Sequence, residues 1–265
     1  MRPDIVYEYP TWLIGIAIVL ATAAAAMLAQ VVVHRLASVG FRARQHESVA
    51  AIFAIIGVTY AVLLAFVAML TWEGFNKARA ATFEEAGAAL ELHRLTFGLP
   101  DARAAPLRRD LAAYVRSVVL VEWPAQARGG MDMSGERWLR ELHGLIGSAA
   151  PEATPSAPGE PGVSAEFLAE LGRLGAARQG RLLASQATVP GIVWAVMLAG
   201  GALMIVFSAL PGADSYALHL AMTGALGASG ALVIVLIVAL NNPFRSDFRI
   251  SPIAFSMQPA LMAPD

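Results

Sequence analysis

Four stretches of this sequence carry no Lys, Arg, Asp or Glu over a length that could cross a bilayer. They run from Trp12 to Val33, Val49 to Trp72, Val189 to Leu210 and Leu218 to Leu240. A helix rising 1.5 Å per residue needs ~20 apolar residues to cover a ~30 Å hydrocarbon layer. Lipid admits only helices and closed barrels, because every backbone polar group needs a partner there. None of the four runs alternates with period two, so barrel strands are excluded. The expectation is an all-α integral membrane protein with four transmembrane helices. Composition agrees: the 265 residues are 57% hydrophobic and 15% charged, with a mean hydropathy of +0.59. Soluble domains are about half apolar and a quarter charged.

The first run could be mistaken for a signal peptide, since its end from Ala21 to Ala29 is rich in alanine. The residues before it argue otherwise: Asp4 and Glu8 accompany Arg2, where a secretory signal requires net positive charge, and the run is longer than a signal's apolar core. It reads as a retained helix. Basic residues near the helix ends set orientation. Arg2, Lys77, Arg79, Arg178, Arg181, Arg245 and Arg249 fall on one side, and Arg35, Arg42 and Arg44 on the other. The larger group places both termini and the long insertion in the cytoplasm.

The chain therefore divides into residues 1–72, with helices at about 12–33 and 49–72; a helical cytoplasmic region over 73–188; residues 189–240, with helices at about 189–210 and 218–240; and a cytoplasmic tail over 241–265. The insertion continues the second and third membrane helices. From Glu73 to Phe97 there is no proline and helix formers dominate, so the second helix runs on to about Leu99-Pro100. A further helix spans Leu107 to Val121, with Leu111, Tyr114, Val115 and Val118 at helical spacing and Pro106 in its first turn. Glu122-Trp123-Pro124 stops it. Ser134 caps a helix from about Gly135 to Ile146, with Trp138, Leu139 and Leu142 on its apolar side. The Pro-, Ala-, Ser- and Gly-rich stretch from Ala149 to Gly162 reads as a mobile loop. A last helix starts at Ser164 and carries Phe167, Leu168, Leu171 and Leu174.

Chemistry-bearing motifs are sparse. There is no cysteine, which removes disulfides, thiolate catalysis and Cys-ligated metals. The histidines are scattered, and neither HExxH nor a Walker-type glycine loop occurs. The net charge of −1 offers no bulk attraction to nucleic acid. No cofactor and no enzymatic activity are expected. Glu84, Glu85 and Glu91 read as the solvated face of a helix. The membrane runs hold no acidic or basic residue at their centres, which argues against a proton-coupled transporter but not against a pore with an apolar constriction. Small residues recur at spacing four in the last run: Gly224 with Ala228, Ala225 with Ser229, Gly227 with Ala231. Ala195 and Ala199 repeat this in the third. Such spacing permits close helix approach.

Two short motifs stand out. Glu122-Trp123-Pro124 sets an acid and an indole before a proline, and a pairing of Glu122 with Arg178 or Arg181 would dock that corner. Asn242-Pro243-Phe244 follows the last membrane run directly, where Pro243 would end the helix and Phe244 anchor at the interface. An Asn-Pro-Phe with an acid and a Phe after the fourth helix resembles the bestrophin ion channels, as do the four-helix layout, the insertion between helices two and three and the Trp72 edge of the second helix. The Glu122-Trp123-Pro124 and Pro243-Phe244 pieces are similar to bacterial bestrophin-like membrane proteins.

The resemblance implies a homo-oligomer, a pentamer in bestrophins, in a bacterial inner membrane. It implies a conduction path for small inorganic ions, anions or cations, lined by the second helix. The apolar neck would fall on Thr59, Leu63, Phe66 and Leu70, spaced by three or four on one helical face. Arginines around a vestibule would favour anions; Glu73, Glu84 and Glu85 would favour cations. The calcium clasp of animal bestrophins does not carry over: only Asp247 stands in its place, beside Arg245 and Arg249, and calcium takes six to eight oxygens. The alternative is a non-conducting scaffold or stress sensor that binds a partner through its cytoplasmic helices.

Overall fold

The structure, a computed structural model, describes residues 10–36, 46–148, 160–211, 215–245 and 247–257. These form helices and turns, with no strand among the described residues. The α-helices are α1 (Thr11–Leu36), α2 (His46–Leu95), α3 (Asp101–Ser117), α4 (Trp123–Ala127), α5 (Ser134–Ser148), α6 (Glu160–Gln186), α7 (Gly191–Ala209), α8 (Tyr216–Leu240) and α9 (Ile253–Ser256). A π-helical turn, Val118–Glu122, joins α3 to α4, and a 3-10 turn, Thr96–Gly98, follows α2. Four helices are long and apolar enough to cross a membrane: α1, the first half of α2, α7 and α8. The chain splits into two compact units, one of Met1–Glu73 and Thr188–Asn241, the other of Gly74–Ala187 and Asn242–Asp265.

In the first unit α1 and α8 run antiparallel at close range, and glycine makes this possible. A Cβ on Gly227 would lie 2.8 Å from Ala26 Cβ and 3.1 Å from Thr22 O; one on Gly224 would meet Met27, and one on Gly15 would meet Val235. Of the small-residue pairs at spacing four, the face that packs on α1 is therefore Gly224, Gly227 and Ala231, whereas Ala225, Ser229, Ala195 and Ala199 are exposed. The pair is also tied by polar groups. Gln30, fully buried, reaches His219 Nδ1 at 3.0 Å, and His219 Nε2 donates to Ser208 O at 2.9 Å, linking α1, α8 and α7. Helix α2 packs on α7 through Tyr60. Its ring lies where side chains on Gly200 and Gly201 would stand, and its hydroxyl donates to Met197 O at 3.1 Å. Leu64, Val67, Met197 and Ile237 are buried together at this contact. Asn241 Oδ1 accepts from Val189 N–H at 2.7 Å just before α7.

The second unit has its own apolar core of Leu92, Leu111, Tyr114, Val118, Trp123, Leu139, Leu142, Phe167, Leu171, Leu174, Phe244 and Phe255. Several sequence expectations shift here. Helix α2 is continuous over 50 residues, about 75 Å. The link from the insertion into the third membrane helix is not continuous: residues 187–190 are non-helical between α6 and α7, and Pro190 precedes α7 as its N-cap. Helix α3 starts at Asp101, so Pro106 lies inside it rather than in its first turn; its missing N–H forfeits one intrahelical bond. Glu122-Trp123-Pro124 does not stop the helix. The chain widens into the π turn and runs on into α4 without leaving helical backbone, Trp123 N–H bonding Val118 O; Pro124, next in line, forfeits one such bond without ending the helix.

The stop comes at Gly129, in left-handed backbone at φ 78°. Gly130 N–H donates to Ala125 O and Gly129 N–H to Gln126 O, both at 2.9 Å, a Schellman closure. Ser134 is the first residue of α5, not its cap: Asp132 Oδ1 accepts its N–H at 2.8 Å. The proposed loop from Ala149 falls outside the described residues up to 159, and residues 160–162 already belong to α6. Phe167, Leu171 and Leu174 are buried as expected from their spacing, but Leu168 is exposed. Arg42 and Arg44, used for orientation, lie outside the described residues.

Candidate functional site

Helix α2 presents one uncovered face. Ile55, Val58, Val62, Phe66 and Met69 are each more than 60% exposed, and their spacing keeps them on one azimuth. Farther along the helix the same azimuth passes through Glu73, Lys77, Ala80 and Glu84, all exposed. Thr59 and Phe66 lie on this face, with the Thr59 hydroxyl donating to Ile55 O at 2.9 Å. Leu70 is exposed at its margin, whereas Leu63 is half-buried against the Leu64–Met197 cluster. The face is better described by Ile55, Val62, Phe66 and Met69 than by the four residues taken from the sequence. The four residues lie within about 60° of one another, but the exposed face is centred on the opposite side of Phe66, which leaves Leu63 at the edge that turns into the protein.

The second unit encloses a charged cluster. Glu85 on α2, Glu122 at the end of the π turn, and Arg178 and Arg181 on α6 are at most 2% exposed. Arg181 donates from Nε to Glu85 Oε2 at 2.5 Å, from Nη2 to Glu85 Oε1 at 3.0 Å and to Glu122 Oε2 at 2.7 Å, and from Nη1 to Gln126 Oε1 at 3.0 Å. Arg178 Nη2 donates to Glu122 Oε1 at 2.6 Å, which also accepts from Gly135 N–H at 2.8 Å. Glu122 thus pairs with both arginines. Tyr114 completes the set, its hydroxyl donating to Glu85 Oε1 at 2.6 Å.

Two carboxylates and two guanidiniums cancel, so the cluster is neutral as a whole. Burial opposes the charge on Arg181, but the adjacent Glu85 carboxylate, with Glu122, more than offsets this and holds the guanidinium above its ordinary range. Burial, then the Glu85 charge and hydrogen bond, push the Tyr114 phenol well above its usual value, so it stays a donor. The cluster ties α2, α3, α4 and α6 at one point, where an unpaired charge would be costly.

The two sequence motifs meet beside it. Trp123 lies edge-on to Phe244 at 5.4 Å and to Phe255 at 6.0 Å, sits under the Arg181 guanidinium at 5.2 Å, and donates from Nε1 to Ile250 O at 3.2 Å. Phe244 is 2% exposed, so it belongs to this core and does not anchor at an interface. Pro243 O accepts from Ile250 N–H at 2.8 Å, folding the segment after Asn242 back onto Trp123. Arg245 lies over Gly129, where a Cβ would come within 2.7 Å of its guanidinium.

Glu85 departs from the solvated face expected of it: Glu84 is exposed and Glu91 pairs with Arg94 at the surface, but Glu85 is fully buried. A signal was present. Ala78, Thr82, Ala89 and Leu92 share its helical face, and a lone carboxylate in such a stripe needs a buried cation. Tyr114 does more than fill the apolar face of its helix, and no sequence pattern points to Gln126. Asp247 is exposed, and among the described residues no cluster of three or more His, Asp or Glu could hold a metal ion.

Known proteins bear on this arrangement. The fold is similar to crystal structures of a bacterial bestrophin homologue from Klebsiella pneumoniae, solved as point mutants. One superposes with a TM-score of 0.70 at 14% identity, covering 94% of this chain and 99% of that one. Another gives 0.68 at 15% identity, with 94% and 97% covered. At this identity the likeness shows the fold alone. No curated protein matches the sequence. The sequence model of the bestrophin-like domain matches residues 20–255, nearly the whole chain, and the protein belongs to the bestrophin-like family.

Proposed function

We propose that this membrane protein is a homo-oligomeric ion channel whose conduction path runs along the exposed face of α2. One observation carries the reading: the uncovered face of α2 continues without interruption from Ile55, Val62 and Phe66 to Glu73, Lys77 and Glu84. A face that only met lipid would have no reason to keep its azimuth into charged residues. Family membership and the likeness to the Klebsiella bestrophin homologue support the same reading. Copies arranged around an axis, five by analogy with bestrophins, would turn this face inward. Phe66, with Thr59 and Leu70 beside it and Leu63 behind, would then form an apolar neck that gates by wetting and dewetting. Glu73, Lys77 and Glu84 mix both signs beyond the neck, which suits small inorganic ions. Glu85 is no part of that lining, since Arg181 neutralises it inside the fold. The Lys/Arg distribution supports an inner-membrane protein with its termini and residues 73–188 cytoplasmic.

Single-channel recording of the purified oligomer in planar bilayers tests the proposal. Phe66→Ala is expected to raise the current by easing wetting, and Val62→Ser to do the same from one turn away. Silence from the wild type and from both variants, in protein shown to be oligomeric, would overturn it in favour of a non-conducting scaffold.

A further inference from the structure

A cleft of about 570 Å³ opens in the first unit, away from the Phe66 face of α2. Its walls come from α2 (Gly57, Tyr60, Ala61, Ala65), α7 (Met197 to Ile205) and α8 (Leu226 to Ile234), with Thr22 of α1 at the back. Small side chains make the space. A Cβ on Gly230 would meet nothing within 4 Å, and Ala61, Ala65 and Ala202 remain exposed, so the cleft opens at the surface of the helix group.

Depth and chemistry together say what fits. On each wall the lining spans about eight residues, roughly 12 Å of helix, and it is centred near the middle of each hydrophobic run. At that depth the surrounding medium is hydrocarbon. The hydroxyls in the wall commit their protons to backbone: Thr22 donates to Ile18 O at 2.8 Å, Tyr60 to Met197 O at 3.1 Å and Ser229 to Leu226 O at 2.8 Å, so the lining side chains offer acceptor oxygens but no free donor. A buried water needs two to four polar partners and could only donate to these oxygens. A ligand with a polar head would find no side-chain donor for its acceptor atoms there. The volume falls within the range of small-molecule pockets, about 300–1,000 Å³.

We infer that this cleft is a binding site for an acyl chain of a membrane lipid, inserted laterally from the bilayer, its apolar tail lying against Gly57, Ala61, Gly201, Ala202 and Gly230 below Tyr60. The site is independent of the pore reading, because it lies on another face of α2.

Photolabelling tests it. The full-length protein is reconstituted in nanodiscs of a phosphatidylcholine whose acyl chain carries a terminal diazirine. After photolysis, labelled residues are mapped by peptide mass spectrometry. Labels are expected on α7 and α8 within the cleft, as well as on the exposed Ile16 and Leu20 of α1. Gly230→Leu enters the cleft from a position where an added Cβ meets no neighbour, and should abolish the cleft labels while leaving those on α1. Ala202→Leu, from another wall, should do the same if Gly230→Leu fails to fold. Cleft labelling that persists in the filled variants overturns the inference. So does a wild-type cleft that stays unlabelled while α1 labels. In that event Ala202→Cys, introduced into this cysteine-free chain, would report by disulfide cross-linking whether a second copy fills the space instead.

Discussion

Replacing Arg181 by Met keeps most of the aliphatic stem and removes the charge that holds the buried cluster together. Glu85 would lose both bonds from Arg181 and keep only the Tyr114 hydroxyl; Glu122 would keep Arg178 and Gly135 N–H. Two carboxylates would then face one guanidinium, leaving a net negative charge at a site with no measurable exposure. Stranding one member of a buried pair costs about 3–5 kcal/mol. At about 2–4 °C per kcal/mol for a chain of this size, the apparent melting temperature should fall by roughly 6–20 °C. The assay is thermal unfolding of the detergent-solubilised full-length protein. Arg94→Met serves as control: it breaks an exposed pair with Glu91 and should cost less than about 1 kcal/mol.

A further outcome follows from the same geometry. Glu85→Gln added to Arg181→Met restores neutrality, still accepts from Tyr114, and should recover part of the loss. An Arg181→Met variant within about 1 kcal/mol of wild type, or a double variant worse than the single, would refute the account of the cluster as a neutral unit.

Gly129→Ala should destabilise by at least about 1–2 kcal/mol, because an L side chain in left-handed backbone is strained and its Cβ would displace the Arg245 guanidinium; thermal unfolding reads this directly. Gly227→Leu should be far more damaging than Gly230→Leu one turn away, since only the first drives a side chain into Ala26 and the Thr22 carbonyl; oligomer yield by size-exclusion chromatography separates them. At high pH, Tyr114 is a liability. Its folded pKa is raised, so the stability from the Tyr114–Glu85 bond is full below pH ~10 and lost as pH climbs above it; Tyr114→Phe should be less stable at pH 8 by about 1–2 kcal/mol but flatter above pH 10. His93 acts in the opposite direction. Burial, with Arg108 nearby, lowers its pKa, so stability is full above pH ~6.5 and falls as pH drops through the folded value; His93→Gln should blunt that acid limb in a melting-temperature profile.

The membrane half of the fold was legible because hydrocarbon thickness leaves a length signature that no soluble helix needs to have. The ends of α1, α7 and α8 fall within a few residues of the uncharged runs. Helix faces were legible where the 3.6-residue period survives, as with Leu111, Tyr114 and Val115, all buried. It failed at three points, each with a physical cause. Pro106 and Pro124 suggest boundaries, yet each sits within helical backbone and removes only its own N–H bond. Thr59, Leu63, Phe66 and Leu70 share one face by spacing, but spacing does not say which side of that face is covered: Leu63 turns into packing, while Ile55 and Val62 on the other side of Phe66 stand exposed. The cleft beside Gly230 was invisible, because a void is set by what three helices fail to fill and not by any one sequence.

The π turn is the hardest case and the most consequential. A single residue of extra winding between Val118 and Glu122 rotates everything after it by about 100° relative to α3. Tyr114 and Val118 sit on the buried side of α3, and a regular helix would repeat that side at Leu111, Val115 and Val118 and then near residues 121–122. With the extra residue, Val121 is exposed, while Glu122 and Trp123 both turn inward, one to the arginines and the other to Phe244 and Phe255. Two adjacent side chains of opposite polarity thereby reach adjacent parts of the same core. The Asn-Pro-Phe segment then has its binding partner fixed more than a hundred residues earlier in the chain. No residue type announces such a turn: Val118-Val119-Leu120-Val121 reads equally well as α-helix. What the sequence does display is its result, an acid and an indole side by side at the point where the winding changes. That explains why the two motifs could be recognised as a family mark without their contact being foreseen.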